Sequence, residues 1–422
     1  MKRPAVPDWL ITGCSQLLTL RGSVPRRGRA LGELGIIRDG ALLVHEDRIV
    51  AAGTRRRIES SRKSRRAEKL DLGGRVVLPG FVDSHTHLIF PGSRAQEYEQ
   101  RISGASYEEI AKSGGGIHSS VRGLRSSPAK ALKSRAMADL ERFAVHGTTT
   151  LEAKSGYSLD WKGELKILNI LYELHQEQPI DIAATFLGAH VVPTEYRGRG
   201  DAYVDLLVKK WIPNTAMAGL AEFCDVFCDR GAFSVDQARR ILTAGRSCGL
   251  VPRIHAEQLA HTGAARLAIE MQAASADHLE KIDAADIRAL ALSNVVCTLL
   301  PGCCFHLGLA EYGPARKLIE AGAIVAVATD FNPGTSPTVS MPMILSLACT
   351  QMRMTPAEAV SAATINPAYS LRQHDRVGSL EVGKYADLAA FDVADYREIP
   401  YYFGVNLCSL TMKRGTVIHS SN

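Results

Sequence analysis

Eight short apolar runs, set apart by helix-like segments, constrain this chain more than any other feature of it. They are Gly80–Val82, Thr148–Ala153, Ile182–Ala189, Cys224–Cys228, Val251–Ala256, Ala273–Ala276, Val295–Leu300 and Ile324–Thr329. Between most of them lie helical stretches: Ala131–His146, Glu164–Glu177, Val235–Gly249, Ala284–Leu292 and Ala315–Ala321. Alternating strand and helix patterns predict βα units and a parallel sheet. Each run leads to a polar or reactive residue: His87, Lys154, His190, Asp229, His255, His278, Pro301 and Asp330. Eight parallel strands with chemistry at their C-terminal ends are what a (β/α)8 barrel requires. A doubly wound sheet would put fewer reactive groups around one rim and ranks below the barrel.

The two ends of the chain read differently. Residues 1–77 hold strand-like runs, clearest at Ala41–His45, Arg48–Ala52 and Arg75–Leu78, broken by Glu46-Asp47 and Gly73-Gly74. Ala386–Phe391 and Thr411–Ile418 repeat that character near the other end, punctuated by Gly383 and Gly415. The expected architecture is therefore α/β. A TIM-type barrel over residues 78–370 is flanked by residues 1–77 and 371–422, which pair into one small β-sandwich module.

With 422 residues, 46% hydrophobic and 22% charged, the chain can bury a sizeable core, and global disorder is excluded. Nine thinly spread cysteines fit reduced thiols better than a disulfide framework. Cys224 and Cys228 have loose spacing and no second pair, so they are not read as a zinc site. The prolines and aspartate of Met1–Ile11 break any signal-peptide core, and no run approaches 18 apolar residues. A soluble, cytoplasmic protein is expected. Residues 51–70 carry eight Lys/Arg against two Glu, but without interleaved aromatics. That stretch reads as a solvated surface rather than a nucleic-acid site.

His85-Thr86-His87 follows the first run directly. On a strand, residues i and i+2 share a face, so both imidazoles can meet one ion. Alone, the motif is weak. It gains weight because His255, His278 and Asp330 stand at three further strand ends. Imidazole plus carboxylate suits one zinc or iron ion and leaves a position open for water. The alternative, core histidines satisfied by hydrogen bonds, requires five coincidences around one rim.

Leu78-Pro-Gly-Phe-Val-Asp-Ser-His-Thr-His87, Ala328-Thr-Asp-Phe-Asn-Pro-Gly-Thr-Ser-Pro337 and Gly383-Lys-Tyr-Ala-Asp-Leu388 resemble segments of the amidohydrolase superfamily. A finer resemblance is to its imidazolonepropionase branch. It rests on Arg94–Tyr98, Ser106–Ile110, Gly114–Ile117, Glu152–Tyr157, Gly188–His190 and Asp330–Gly334, and spans residues 35–418. The resemblance implies hydrolysis of the ring amide of 4-imidazolone-5-propanoate, a small-molecule substrate, by a cytoplasmic homodimer with no nucleic-acid or membrane partner.

It further implies that His85, His87, His255 and Asp330 hold one metal ion. Asp330 would also move the proton, and His278 would face the developing oxyanion. The propionate would meet Arg94, whose guanidinium suits carboxylate, with Tyr107 adding a hydroxyl. Tyr157, His190, Gln258, Asn332, Gly334 and Thr335 match positions that contact substrate or product.

Three departures bear on this. Gln258 stands where the family often has Glu, so it can bind but cannot act as a base. The run Cys224–Asp229 has no lysine to bridge two metals, which argues for one; Lys154, on the second run, is read as a supporting charge. Cys303 and Cys304 enrich their loop in thiols and are expected to be buried filler. A different cyclic amidohydrolase or a nucleobase deaminase shares this metal set. Arg94 and Tyr107 argue against a neutral nucleobase, and the intact histidine set argues against a non-catalytic scaffold.

Overall fold

A computed structural model describes residues 7–105, 109 and 114–421. Fifteen strands among these residues form two sheets. From the first end of the chain come β1 (Trp9–Leu18), β2 (Ile36–His45), β3 (Arg48–Thr54) and β4 (Glu68–Pro79). The middle supplies β5 (Phe81–Asp83), β6 (Thr148–Lys154), β7 (Asp181–Ala189), β8 (Phe223–Cys228), β9 (Val251–Ala256), β10 (Ser275–His278), β11 (Val296–Leu299) and β12 (Ile324–Val327). β13 (Leu388–Phe391), β14 (Cys408–Lys413) and β15 (Thr416–Ser420) complete the second end.

The eight middle strands lie side by side in chain order, each parallel to the next. Each corresponds to one of the apolar runs read from the sequence. Helices such as Ala129–Val145, Trp161–Glu177, Val235–Ser247 and Ala284–Ala291 connect them. Local chemistry sets where helices start. Asp160 accepts the Gly163 N–H, and Ser234 with Gln237 forms a reciprocal capping box. The barrel closes between its first and last strands. His87 N donates to Phe331 O at 2.8 Å, Asp330 N donates to His85 O at 3.0 Å, and Thr329 Oγ1 donates to Asp83 at 2.6 Å.

The end strands form one seven-stranded sheet, in the order β15-β14-β13-β4-β1-β2-β3. β1 runs parallel to β4, and β13 pairs antiparallel with β4. Ile11, Leu17, Leu42, Val44, Val77, Leu388 and Met412 share a core distinct from that of the barrel. β4 passes through Gly80 directly into β5. A side chain at Gly80 would meet Thr149 at 2.3 Å, so the crossing from sheet to barrel admits only glycine. No helix among the described residues is long and apolar enough to cross a membrane.

Lys413 fastens the two sheets together. Its buried Nζ lies 2.7 Å from Asp181 Oδ2, at the start of β7, and 2.6 Å from Asp387 Oδ2, beside β13. Removing one member of a buried ion pair leaves uncompensated charge in a low-dielectric interior. Lys413→Met is expected to lower the free energy of unfolding by about 3–5 kcal/mol, measured by urea denaturation.

Candidate active site

At the C-terminal rim, β5 runs into His85 and His87, and β9 ends near His255. The available ligand atoms of these three buried histidines all lie within 4.8 Å of one another. Asp330, just beyond β12, places Oδ1 3.5 Å from His85 Nε2 and 3.6 Å from His87 Nε2. Burial, with Lys154 and the neighbouring imidazoles, holds His85 well below its usual pKa. Burial and the other imidazoles do the same for His87. These rings are therefore neutral and keep lone pairs. His85 Nε2, His87 Nδ1 and both nitrogens of His255 are buried without a hydrogen-bond partner. Orphaned imidazole nitrogens beside a carboxylate fit a cation.

The other face of His85 is tied down. Its Nδ1 lies 2.7 Å from Asp277 Oδ2, which makes Nδ1 the protonated nitrogen and turns the Nε2 lone pair toward Asp330. Asp277 also lies 3.7 Å from Lys154 Nζ and 3.6 Å from Arg253 Nη2. Lys154 contacts Glu152 and Asp225 at 2.8 Å each, and Asp225 Oδ2 stands 3.1 Å from His255 Nδ1. All of these side chains except His255 have no exposure at all.

His278 ends β10, its ring centroid 5.7 Å from that of His85 and 5.5 Å from that of His255. Burial lowers its pKa, but Glu280, with Oε1 3.6 Å from Nδ1, together with Asp330 and Asp277, raises it overall. Burial pushes the Asp330 carboxyl up to about 6 against the pull of His278 and His255. His87 stacks on His190 at 5.2 Å, and Tyr157 lies 5.5 Å from His87 and 5.4 Å from His190. His190 Nδ1 is 3.1 Å from Gly156 O, and burial brings its pKa down to about 3.

Gln258 is placed by its backbone. Asp229 accepts the N–H groups of Gln258, Leu259 and Ala260 at 2.7, 2.8 and 3.1 Å. The Gln258 amide reaches Cys303 Sγ at 3.6 Å. Cys303 and Cys304 are both buried, as expected from the sequence. Cys304 contacts Glu280 Oε1 at 3.3 Å.

The loop beyond β12 is shaped by Asn332. Its Oδ1 accepts from Gly334 N and Thr335 N at 2.8 Å each, and its Nδ2 donates to Asp330 O at 2.6 Å. Asn332 thus spends its amide on the loop itself. Arg94 lies against Gly334, where a Cβ would stand 2.2 Å from Nη1. Tyr107 lies outside the described residues.

Sequence reasoning missed Asp225, Asp277, Arg253, Glu280 and Glu97. Their signal was present for the first three: a charge inside an apolar strand, as in Phe223-Cys-Asp-Val226, Pro252-Arg-Ile254 and Ser275-Ala-Asp277. A buried strand admits a charge only with a partner, so each such residue announces one.

The amidohydrolase family matches residues 76–418. An imidazolonepropionase of Solibacter usitatus (strain Ellin6076) is 50% identical over 398 residues, covering 94% of this chain and 95% of its own. Another, from Geobacillus kaustophilus (strain HTA426), is 47% identical over 407 residues, or 96% of each chain. Among solved structures, a triazine hydrolase variant superimposes with a TM-score of 0.76 at 18% identity, over 98% of this chain and 95% of its own. An adenosine deaminase from Xanthomonas campestris with bound zinc gives 0.72 at 16%, over 98% and 93%. Those distant structures share the fold, whereas the near-full-length relatives are 47% and 50% identical to this chain. The chain belongs to the imidazolonepropionase family of amidohydrolases.

Proposed function

We propose that this rim hydrolyses the ring amide of 4-imidazolone-5-propanoate to N-formimidoyl-L-glutamate, with one metal ion held by His85, His87, His255 and Asp330. The observation that carries the assignment of roles is the convergence of three imidazoles and a carboxylate at a strand-end rim that also presents a guanidinium. Zinc and iron both suit that donor set. When bound, the ion supplies a Lewis acid that lowers the pKa of water toward neutrality.

The chain's own groups do the rest. Asp330 takes the proton of the attacking water at its carboxylate and returns it to the ring nitrogen as the C–N bond breaks. His278, held toward its protonated form by Glu280, donates to the carbonyl oxygen as it gains charge. Gln258 hydrogen-bonds the ring, and Tyr157 and His190 wall it. Arg94 takes the propionate. Asn332 shapes the loop of Gly334 and Thr335 on which that carboxylate rests. A cytoplasmic homodimer belongs to the same reading.

Four outcomes are expected. Purified protein is expected to consume imidazolone propionate, made in place from urocanate by urocanase, with loss of the imidazolone absorbance. Prior chelation is expected to stop it; metal-replete protein without turnover would move the substrate elsewhere. Asp330→Asn is expected to abolish turnover while circular dichroism stays native, and retained activity would remove the proton-transfer role. Asp277→Asn is expected to weaken metal affinity by about 10–100-fold, read as metal content after dialysis against a graded chelator.

A further inference from the structure

The residue that aims the guanidinium of Arg94 is Glu97, one turn along the helix Ala95–Ile102. One carboxylate oxygen, Oε2, accepts both Arg94 Nε at 2.9 Å and Arg94 Nη2 at 2.6 Å. The pair is largely withdrawn from solvent, at 14% and 15% side-chain exposure, so water does little to loosen it. Glu97 is held in turn from a second direction. Gly116 N donates to Oε2 at 3.0 Å and Ser119 Oγ to Oε1 at 2.8 Å, both at the start of the helix Ile117–Ser126. Burial would raise this carboxyl, but Arg94, Ser119 and Gly116 together keep it below its usual range and hence ionised.

The geometry leaves one end of the guanidinium for a ligand. The Nε–Nη2 edge is taken by Glu97. Nη1 points at Gly334 and, among the described residues, makes no hydrogen bond. A guanidinium has five donors in a fixed plane, so engaging one edge fixes the direction of the others. We infer that Glu97 is a positioning residue for substrate recognition. It presents Arg94 Nη1 to the substrate's carboxylate and so sets selectivity for a ring bearing an anionic side arm. The inference rests on Arg94 being the propionate clamp.

Among the described residues the hydrogen bonds of Glu97 go to Arg94, Gly116 and Ser119 and to no candidate metal ligand, so its loss is expected in KM rather than in kcat. Steady-state kinetics of Arg94→Ala, Glu97→Gln and Ser119→Ala test this, each on the propionate substrate and on the same ring with an uncharged alkyl arm. Arg94→Ala is expected to raise KM for the propionate substrate about 100-fold, and Glu97→Gln about 10-fold, with kcat within about twofold. Neither should change kcat/KM for the uncharged analogue. The double variant Arg94→Ala/Glu97→Gln should match Arg94→Ala alone, because the two act as one unit.

Ser119→Ala removes one of the bonds that anchor Glu97 to the second helix but spares its contact with Arg94, so KM should stay near the wild-type value. A KM raised equally by Ser119→Ala and Glu97→Gln would make Glu97 a helix anchor and overturn the inference. So would a Glu97→Gln enzyme with wild-type KM beside a raised one for Arg94→Ala; a wild-type KM for Arg94→Ala would instead bring down the clamp itself, and the inference with it. If Glu97→Gln does not fold, Glu97→Asp, which keeps the charge on a shorter arm, is read by the same KM criterion.

Discussion

Asp277 is the side chain on which the rim depends. A carboxylate with no solvent exposure costs several kcal/mol to bury unless it is paired, and this one meets three groups from three other strand paths. His85 Nδ1 comes from the end of β5, Lys154 from β6 and Arg253 from β9. The single anion thereby fixes the tautomer of one candidate metal ligand and stitches the interior at the same time. The interior of such barrels is commonly filled by layers of branched apolar side chains. Here a charged layer of Glu152, Lys154, Asp225, Arg253 and Asp277 lies within it, and each member is tolerable only because the others are present.

Above that layer the backbone turns sharply. Glu257, His278, Leu279 and Asp330 all have φ between 52° and 82°, in the left-handed region that non-glycine residues avoid. Such strain persists where the surroundings over-determine it. Glu257 is held because its carboxylate accepts the N–H groups of Thr262, Gly263 and Ala265. Asp330 is held by its backbone bond to His85 O and by Asn332, which donates back to its carbonyl. The kinks bend the chain out of the strand path where His278 and Asp330 approach histidines carried by other strands. Rigidity of the candidate site therefore comes from hydrogen bonds to strained backbone as much as from packing.

Much of this was legible before any coordinates, for a physical reason. Parallel strands enclosed by helices are apolar throughout, so each appears as a run, and the residue ending each run stands at the rim. That reasoning placed all eight barrel strands and put His85, His87, His255, His278 and Asp330 at one rim, while the narrower set of four came from the family resemblance. β1 was missed because Gly13, with φ of 71°, breaks its alternation and shifts its register. Lys154 was read as a supporting charge, but Asp225, Arg253 and Asp277 were missed because their partners are distant in sequence: His85 and Asp277 are 192 residues apart. Asn332 matches a family position that contacts ligand, and what the motif does not reveal is that its hydrogen bonds also close its own loop. Motifs say which residues matter, while the direction a side chain faces is decided by partners that spacing does not reveal.

The supports of the two halves of the site differ in kind. The metal-binding half is braced by buried charges on strands, where a change in one side chain propagates through low dielectric to all the others. The proposed carboxylate-binding half is braced by Arg94 and Glu97 on a connecting segment and by a glycine on another loop, with none of the buried layer involved. A mutation in the first half therefore threatens folding, metal and turnover together. In the proposed clamp the expected effect is mainly on which molecule is held. Because strands carry the first and loops the second, the clamp can be rebuilt while the hydrolytic apparatus stays intact. Substrate choice in such a barrel thus resides in the few groups that aim a cation, and the reaction resides in the groups that cannot move.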